Sequence, residues 1–139
     1  MVAPEESETS EIPSLASAER TTKHILVVDD EPQIRNLLGK YLESERFAVD
    51  LAEDGHEAWR KLANMDCDCI LLDLRMPGMS GPELYELIKE VSEALAFKAV
   101  FVTGDTVSAG MRDFIAATGI PVVAKPFRMA ELLRTIHEL

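Results

Sequence analysis

The chain has 139 residues, a formal net charge of −11, 47% hydrophobic residues and 28% charged residues, which is typical of one soluble globular domain. Its acidity argues against nucleic acid or an anionic membrane as a direct partner, because no basic stripe is available to neutralise phosphates. No apolar run approaches the roughly 18 residues of a membrane span and the start lacks a secretory pattern, so we predict a cytoplasmic protein.

The first 23 residues differ in composition from the rest of the chain. They carry five glutamates among Ser, Thr, Pro and Ala, with few large apolar side chains. Such a segment cannot bury enough surface to offset the entropy of folding. We therefore predict a disordered tail or linker over 1–23 and a folded domain over 24–139.

Five apolar, strand-like runs alternate with five amphipathic, helix-like patterns over 24–139. The predicted strands span 24–29, 47–52, 68–73, 99–103 and 120–124. The predicted inner faces of the helices are, in chain order, Ile34, Leu37, Leu38, Tyr41 and Leu42; Ala58, Trp59 and Leu62; Leu84, Leu87, Ile88, Val91 and Leu95; Val107, Met111, Phe114 and Ile115; and Leu132, Leu133, Ile136 and Leu139. Strict βα alternation predicts an α/β fold, a (βα)5 parallel sheet between two helix layers.

Two local features refine this prediction. Gly110 is expected in the middle of the fourth helix, where a glycine costs about 1 kcal/mol relative to alanine, and Gly119 is expected to end that helix. Cys67 and Cys69 alternate around the start of the third strand, so we expect both thiols on one face beneath a helix. Without further Cys or His ligands nearby they are interpreted as buried, reduced side chains.

Polar residues stand where the apolar runs end. Asp29 and Asp30 end the first run, Asp73 the third and Thr103 the fourth, and Lys125 follows the fifth. Because parallel strands place their carboxyl ends along one edge of the sheet, these side chains are expected to meet in one crevice.

Three carboxylates in that crevice would repel one another. They could share a proton, or a hard divalent cation such as Mg²⁺ could lie among them. Lys125 and Thr103 would then suit an anion, which would make Asp73 a nucleophile toward a phosphoryl group. Taken singly, Asp29 and Asp30 could instead cap the first helix, and Lys125 could be a solvated amine.

The chain resembles the receiver domain of two-component response regulators over about residues 24–139. The matching motifs are Val-Val-Asp-Asp-Glu at 27–31, Leu-Leu-Asp-Leu-Arg-Met-Pro-Gly-Met-Ser-Gly at 71–81, Val-Thr-Gly at 102–104 and Ala-Lys-Pro-Phe at 124–127. The resemblance implies a doubly wound, flavodoxin-like sheet with the strand order 2-1-3-4-5.

The resemblance also implies a chemical role for matching residues. Asp73 would accept a phosphoryl group from a phosphohistidine on a histidine kinase or phosphotransfer protein. Asp30 and Asp73, with the backbone carbonyl of Arg75, would bind Mg²⁺, and Asp29 would contribute through water. The domain itself would be a phosphoacceptor that assists its own phosphotransfer and dephosphorylation, and would not be classed as an enzyme.

In the family, signalling begins when a threonine and a lysine hold the oxygens of the new phosphoryl group. The matching residues here would be Thr103 and Lys125. The threonine moves and an aromatic side chain on the fifth strand turns inward, which reshapes the face of the fourth helix, fifth strand and fifth helix, also a candidate dimer face. The corresponding position here is Val122, which has no ring. We therefore predict that switching depends on the Thr103 loop and the fourth helix.

Other functions for the same fold fit the sequence less well. A flavodoxin-like cofactor module would need a phosphate loop after the first strand, where Asp29, Asp30 and Glu31 would repel phosphate. A haloacid dehalogenase-type hydrolase would need a second acid at position 75, which is an arginine. A non-phosphorylated scaffold would not need the complete acceptor set. Two contexts stay open: a stand-alone response regulator, or the C-terminal receiver of a hybrid histidine kinase, which the linker-like first 23 residues favour.

Overall fold

The computed structural model describes residues 22–104 and 108–139. The predicted tail lies almost wholly outside these described residues. The elements are β1 (His24–Val28), α1 (Pro32–Ser44), β2 (Ala48–Ala52), α2 (Gly55–Leu62), β3 (Cys69–Asp73), α3 (Gly81–Val91), α4 (Glu93–Ala96), β4 (Ala99–Thr103), α5 (Ala109–Thr118), β5 (Val122–Ala124) and α6 (Met129–His137). Within the described ranges, no helix is long and apolar enough to cross a bilayer.

The five strands form one parallel sheet in the order β2-β1-β3-β4-β5, which confirms the predicted topology. Val28 is level with Leu72, Asp73 with Val102, and Thr103 with Ala124. The carboxyl ends of β1, β3, β4 and β5 therefore line up along one edge, and the order reverses between β1 and β3.

Alternate strand residues build two apolar layers, one on each face of the sheet. The first layer contains Leu26, Ile70 and Phe101, with side chains of α2, α3 and α5 packed against it. The second contains Val27 and Leu71, with side chains of α1 and α6. Continuous apolar runs are needed in β1, β3 and β4 because each of these strands is covered on both faces.

The helix faces are narrower than their sequence patterns predict. Leu37 is 55% exposed, Val91 74% and Leu139 44%, so their predicted inward positions were wrong. In α1 the sheet covers Leu38 and Leu42, and Leu37 lies beyond that contact. Val91 is the last residue of α3, where the chain leaves the sheet, and Leu139 follows the end of α6.

The short helix α4 was absent from the prediction. Ser92 ends α3 and its hydroxyl accepts a hydrogen bond from the Leu95 amide at 3.1 Å, which starts a new turn. A serine between two helices satisfies the third amide of the second, so one predicted helix becomes two.

The prediction that Gly110 lies in the middle of its helix was wrong. Ser108 is the N-cap of α5, so Gly110 is the second helical residue and lies in the first turn. Val107, expected on the inner face, lies outside the described residues. Gly119 ends α5 in the left-handed conformation with φ 70°, as predicted.

The two cysteines also differ from the prediction, although both are free and buried. Cys69 belongs to β3 and packs in the layer under α1, whereas Cys67 precedes the strand and packs in the layer under α3. Period-two alternation applies only within a strand, so it does not relate these two side chains. Burial raises the pKa of both thiols, which agrees with a structural role.

Candidate functional site

Asp73 is the last residue of β3 and is only 5% exposed. Its Oδ1 accepts a hydrogen bond from the Arg75 amide at 3.0 Å, and its Oδ2 accepts one from Lys125 Nζ at 3.3 Å. Burial raises the pKa of Asp73; the Arg75 amide and Lys125 oppose this rise, and Asp29 adds to it. The carboxyl group is thus desolvated, yet it has a hydrogen-bond donor for each oxygen.

The loop that follows Asp73 is fixed at both ends. Gly78 turns the chain with φ 74°, a conformation that favours glycine. Ser80 and Glu83 form a reciprocal capping box that begins α3. Gly81 then packs so tightly that an added Cβ would lie 2.6 Å from Leu74 Cα and 2.7 Å from the Asp73 carbonyl oxygen. The start of α3 is therefore held directly against the strand end that carries Asp73.

Asp29 follows β1 and is 2% exposed. Its Oδ1 accepts the Glu31 amide at 2.9 Å, its Oδ2 accepts Lys125 Nζ at 3.1 Å, and its carbonyl oxygen accepts Arg35 Nη1 at 2.7 Å. Glu31 is the N-cap of α1 and its side chain makes no cap bond. Asp29 therefore supports the helix start through one oxygen, while its other oxygen faces the crevice.

One carboxylate oxygen from each of Asp29, Asp30 and Asp73 lies within 4.8 Å of the others. Asp30 is the most exposed of the three. Mg²⁺ binds oxygens at about 2.0–2.1 Å in an octahedron, so two ligands on opposite sides of the ion lie about 4.2 Å apart. The three acids supply the oxygen ligands that a single hard cation prefers, close enough together to share one ion directly or through water, and solvent can reach the site from the side of Asp30.

Lys125 follows β5 and joins the acids from the other side. Its Nζ lies 3.1 Å from Asp29, 3.3 Å from Asp73 and 3.3 Å from Glu31. Although burial disfavours the charged ammonium, the carboxylates of Asp73, Asp29 and Glu31 outweigh it and raise the pKa of Lys125 to about 12. Lys125 is therefore a permanent cation beside Asp73 near neutral pH, and a solvated amine is excluded.

Thr103 is the last residue of β4 and is buried. Its carbonyl oxygen accepts the Lys125 amide at 2.6 Å, which links the ends of β4 and β5. Its hydroxyl donates to the Gly104 carbonyl at 3.4 Å, at the long limit for a hydrogen bond. The hydroxyl is thus weakly held and can turn toward a new acceptor.

These side chains, Asp29, Asp30, Asp73, Thr103 and Lys125, are called the acceptor edge below. Sequence reasoning found all five but missed Glu31, which is exposed yet pairs with Lys125. Its signal was its place directly after the acidic pair, next to a predicted cation. Val122, by contrast, lies away from these contacts on β5 and is 37% exposed.

Comparisons with known proteins point to one family. The family model described as "Response regulator receiver domain" matches residues 25–137. The transcriptional regulatory protein ResD of Bacillus subtilis is 38% identical over 115 residues, which cover 83% of this chain and 47% of ResD. The chain thus spans about half the length of that curated relative.

Solved structures show the same fold. A response regulator receiver protein from Pseudomonas putida superposes with a TM-score of 0.77 at 28% identity, covering 85% of this chain and 98% of the other. The response regulator protein TrrA from Thermotoga maritima, solved in complex with Mg²⁺ and BeF, superposes with a TM-score of 0.73 at 34% identity, covering 84% and 98%.

Proposed function

The chain belongs to the family of response regulator receiver domains, and we propose that it is a phosphoacceptor that takes a phosphoryl group onto Asp73. The observation that carries this proposal is the contact of Lys125 Nζ with both Asp29 and Asp73, beside three clustered acids at the carboxyl edge of the sheet. Asp73 contacts a permanent cation and belongs to a cluster of three acids that could share a metal ion. This arrangement favours phosphorylation of its carboxylate.

In the proposed reaction, one carboxylate oxygen of Asp73 attacks the phosphorus of a phosphohistidine. The new O–P bond forms as the P–N bond breaks, and the imidazole nitrogen leaves with the electron pair. Lys125, which contacts Asp73, would bind a phosphoryl oxygen, and the weakly held Thr103 hydroxyl would donate to another. Both donors would stabilise charge on the transferring group, as electrostatic catalysis requires.

Asp30, Asp73 and the backbone carbonyl of Arg75 would hold Mg²⁺, with Asp29 contributing through water. When bound, Mg²⁺ would neutralise charge on the phosphoryl oxygens. The capping box and Gly81 hold the loop that carries the Arg75 carbonyl next to Asp73. The Arg75 amide, which donates to Asp73 Oδ1, keeps that carboxyl oriented while it reacts.

Receiver domains interact with histidine kinases or phosphotransfer proteins as a family, and we propose the same class of partner, in the cytoplasm, for this chain. Phosphorylation would bias the face formed by α5, β5 and α6, a candidate dimer face, through Thr103 rather than through a ring at Val122. A stand-alone regulator and a receiver within a hybrid kinase remain alternative settings for the same chemistry.

The test is phosphoryl uptake from acetyl phosphate with Mg²⁺, followed by intact-protein mass and phosphate-affinity gels. The unsubstituted chain should gain one phosphoryl group and Asp73→Asn should gain none, because an amide is not a nucleophile here. Asp66→Asn is the matched control, since Asp66 is exposed and lies outside the acceptor edge, and it should retain full uptake. Uptake by Asp73→Asn would refute the assignment.

A further inference from the structure

A groove of about 650 Å³ lies on the side of the domain formed by α2, α3 and α5, outside the acceptor edge. Its walls come from three elements and the loop after β3. The lining side chains are His56 on α2, Met79 in the loop, Glu83, Glu86, Leu87 and Glu90 on α3, and Phe114 on α5. The proposed phosphotransfer uses none of them.

The polar side of the groove is a stripe of three exposed glutamates, Glu83, Glu86 and Glu90, on one face of α3. Their spacing of three and four residues places like charges next to one another, which destabilises a helix by about 0.2–0.5 kcal/mol per pair. Among the described residues that line the groove there is no Lys or Arg to offset them. The stripe therefore faces no lysine or arginine within the described part of the groove.

The apolar side of the groove is rigid. Phe114 packs against the rings of Tyr85 and Phe101, with centroids 5.7 Å and 5.6 Å away, so its position is fixed by the core. Met79 packs against the same core layer, and Gly55 leaves space for it, because an added Cβ would lie 2.9 Å from its side chain. Leu87, on the same helix as the glutamates, is half-buried and also lines the groove.

We propose that this groove binds a basic amphipathic helix of a partner protein. Lysines or arginines on that helix would pair with Glu83, Glu86 and Glu90, and an apolar side chain would enter between Met79 and Phe114. Helix-in-groove recognition uses an apolar floor, and complementary charges at the rim add specificity and speed association. The inference goes beyond the proposed phosphotransfer and does not depend on it.

The test uses the unphosphorylated chain and a fluorescent synthetic peptide of leucine and lysine, patterned as an amphipathic helix of about three turns to match α3. Binding is followed by anisotropy at about 0.1 M salt, where charges beyond about 10 Å are screened. Amide and methyl NMR shifts should change at Met79, Leu87 and Phe114. Shifts confined to other faces would overturn the proposal.

Two charge-matched variants separate the groove from the general acidity of the chain. Glu86→Lys with Glu90→Lys reverses the stripe, and Glu43→Lys with Glu45→Lys makes the same charge change at the exposed end of α1. The groove variant should weaken peptide binding at least about tenfold and the control less than about threefold. Equal weakening would mean attraction by net charge alone and would refute the groove.

The apolar contact has its own test, which leaves the charge unchanged. Leu87→Gln should weaken the same peptide about fivefold or more by removing the apolar contact, with circular dichroism confirming the fold. Unchanged affinity for Leu87→Gln would show that the peptide does not enter the groove, and would equally overturn the proposal.

Discussion

The acceptor edge differs sharply in burial from two parts of the neighbouring α5, β5 and α6 face, namely α5 and Val122. At the edge, Asp29 and Asp73 are nearly inaccessible and share Lys125 through contacts of 3.1–3.3 Å. On the neighbouring face, Val122 is 37% exposed and no residue of α5 in the described chain is fully buried.

The difference fits the proposed division between phosphoryl chemistry and readout. Phosphoryl chemistry needs groups fixed before the reaction, whereas a readout needs an element whose position changes at low cost. Lys125 joins the two regions, because it directly follows β5 while its ammonium reaches Asp73 and its amide is bonded to Thr103 at the end of β4. Lys125 is therefore where the acceptor edge and the neighbouring face meet.

The largest effect should come from removing the shared cation. Lys125→Met leaves the carboxylates of Asp29 and Asp73 without their shared cation. We expect the free energy of unfolding to fall by about 2 kcal/mol, measured in urea with a chelator present. The loss is smaller than for a fully buried ion pair, because one of the partners of Lys125, Glu31, is exposed. Phosphoryl uptake should fall about 100-fold.

Lys40→Met is the control for that variant, since Lys40 is exposed on α1 and outside the acceptor edge. It should change stability by less than about 0.5 kcal/mol and leave uptake unaltered. If both lysine variants unfolded at the same urea concentration, Lys125 would not be holding the acids together.

A similar effect on stability, with a weaker effect on phosphoryl uptake, should separate two glycines, one packed against the acceptor edge and one in α5. Gly81→Ala forces a methyl group against the backbone of Leu74 and Asp73, and should cost about 1–3 kcal/mol and slow phosphoryl uptake. Gly110→Ala meets nothing within 4 Å in the first turn of α5, and should stabilise the domain by about 0.5–1 kcal/mol. Thermal unfolding of both variants measures the contrast, and a destabilised Gly110→Ala would show that α5 is not loosely packed.

The smallest effect concerns switching. Adding beryllofluoride and Mg²⁺ should change the rate of amide hydrogen exchange a few-fold in α5 and little in α2. Both helices pack on the same face of the sheet, but in the described chain α5 has no buried residue whereas α2 has two. Exchange in α5 that does not respond would contradict the hypothesis that the Thr103 loop and this helix carry the signal.

Most of the fold could be predicted because strands covered on both faces must be continuously apolar. The bounds of β4, Ala99–Thr103, agree with the predicted strand residue for residue. The exposed Leu37 and Val91 could not be predicted, because the width of a helix face depends on what packs against it. The split at Ser92 depends on a single hydroxyl that caps a new turn.

The acceptor edge could be predicted for a related reason: parallel strands bring their ends together whatever their separation in the chain. Asp73 and Lys125 are 52 residues apart and still meet. The position of Glu31 after the acidic pair was the only sequence signal for its pairing with Lys125, because the contact depends on where the loop after β5 places the ammonium. Topology predicts which residues converge, and side-chain geometry decides which of them touch.

The most direct test of the central claim is to locate the phosphoryl group. After uptake from acetyl phosphate, borohydride reduces an aspartyl phosphate to homoserine, which peptide mass spectrometry can place in the sequence. We predict homoserine at position 73 and unmodified aspartates at positions 29 and 30. Homoserine at either of those positions, or none anywhere in a protein that had gained a phosphoryl mass, would contradict the assignment of Asp73.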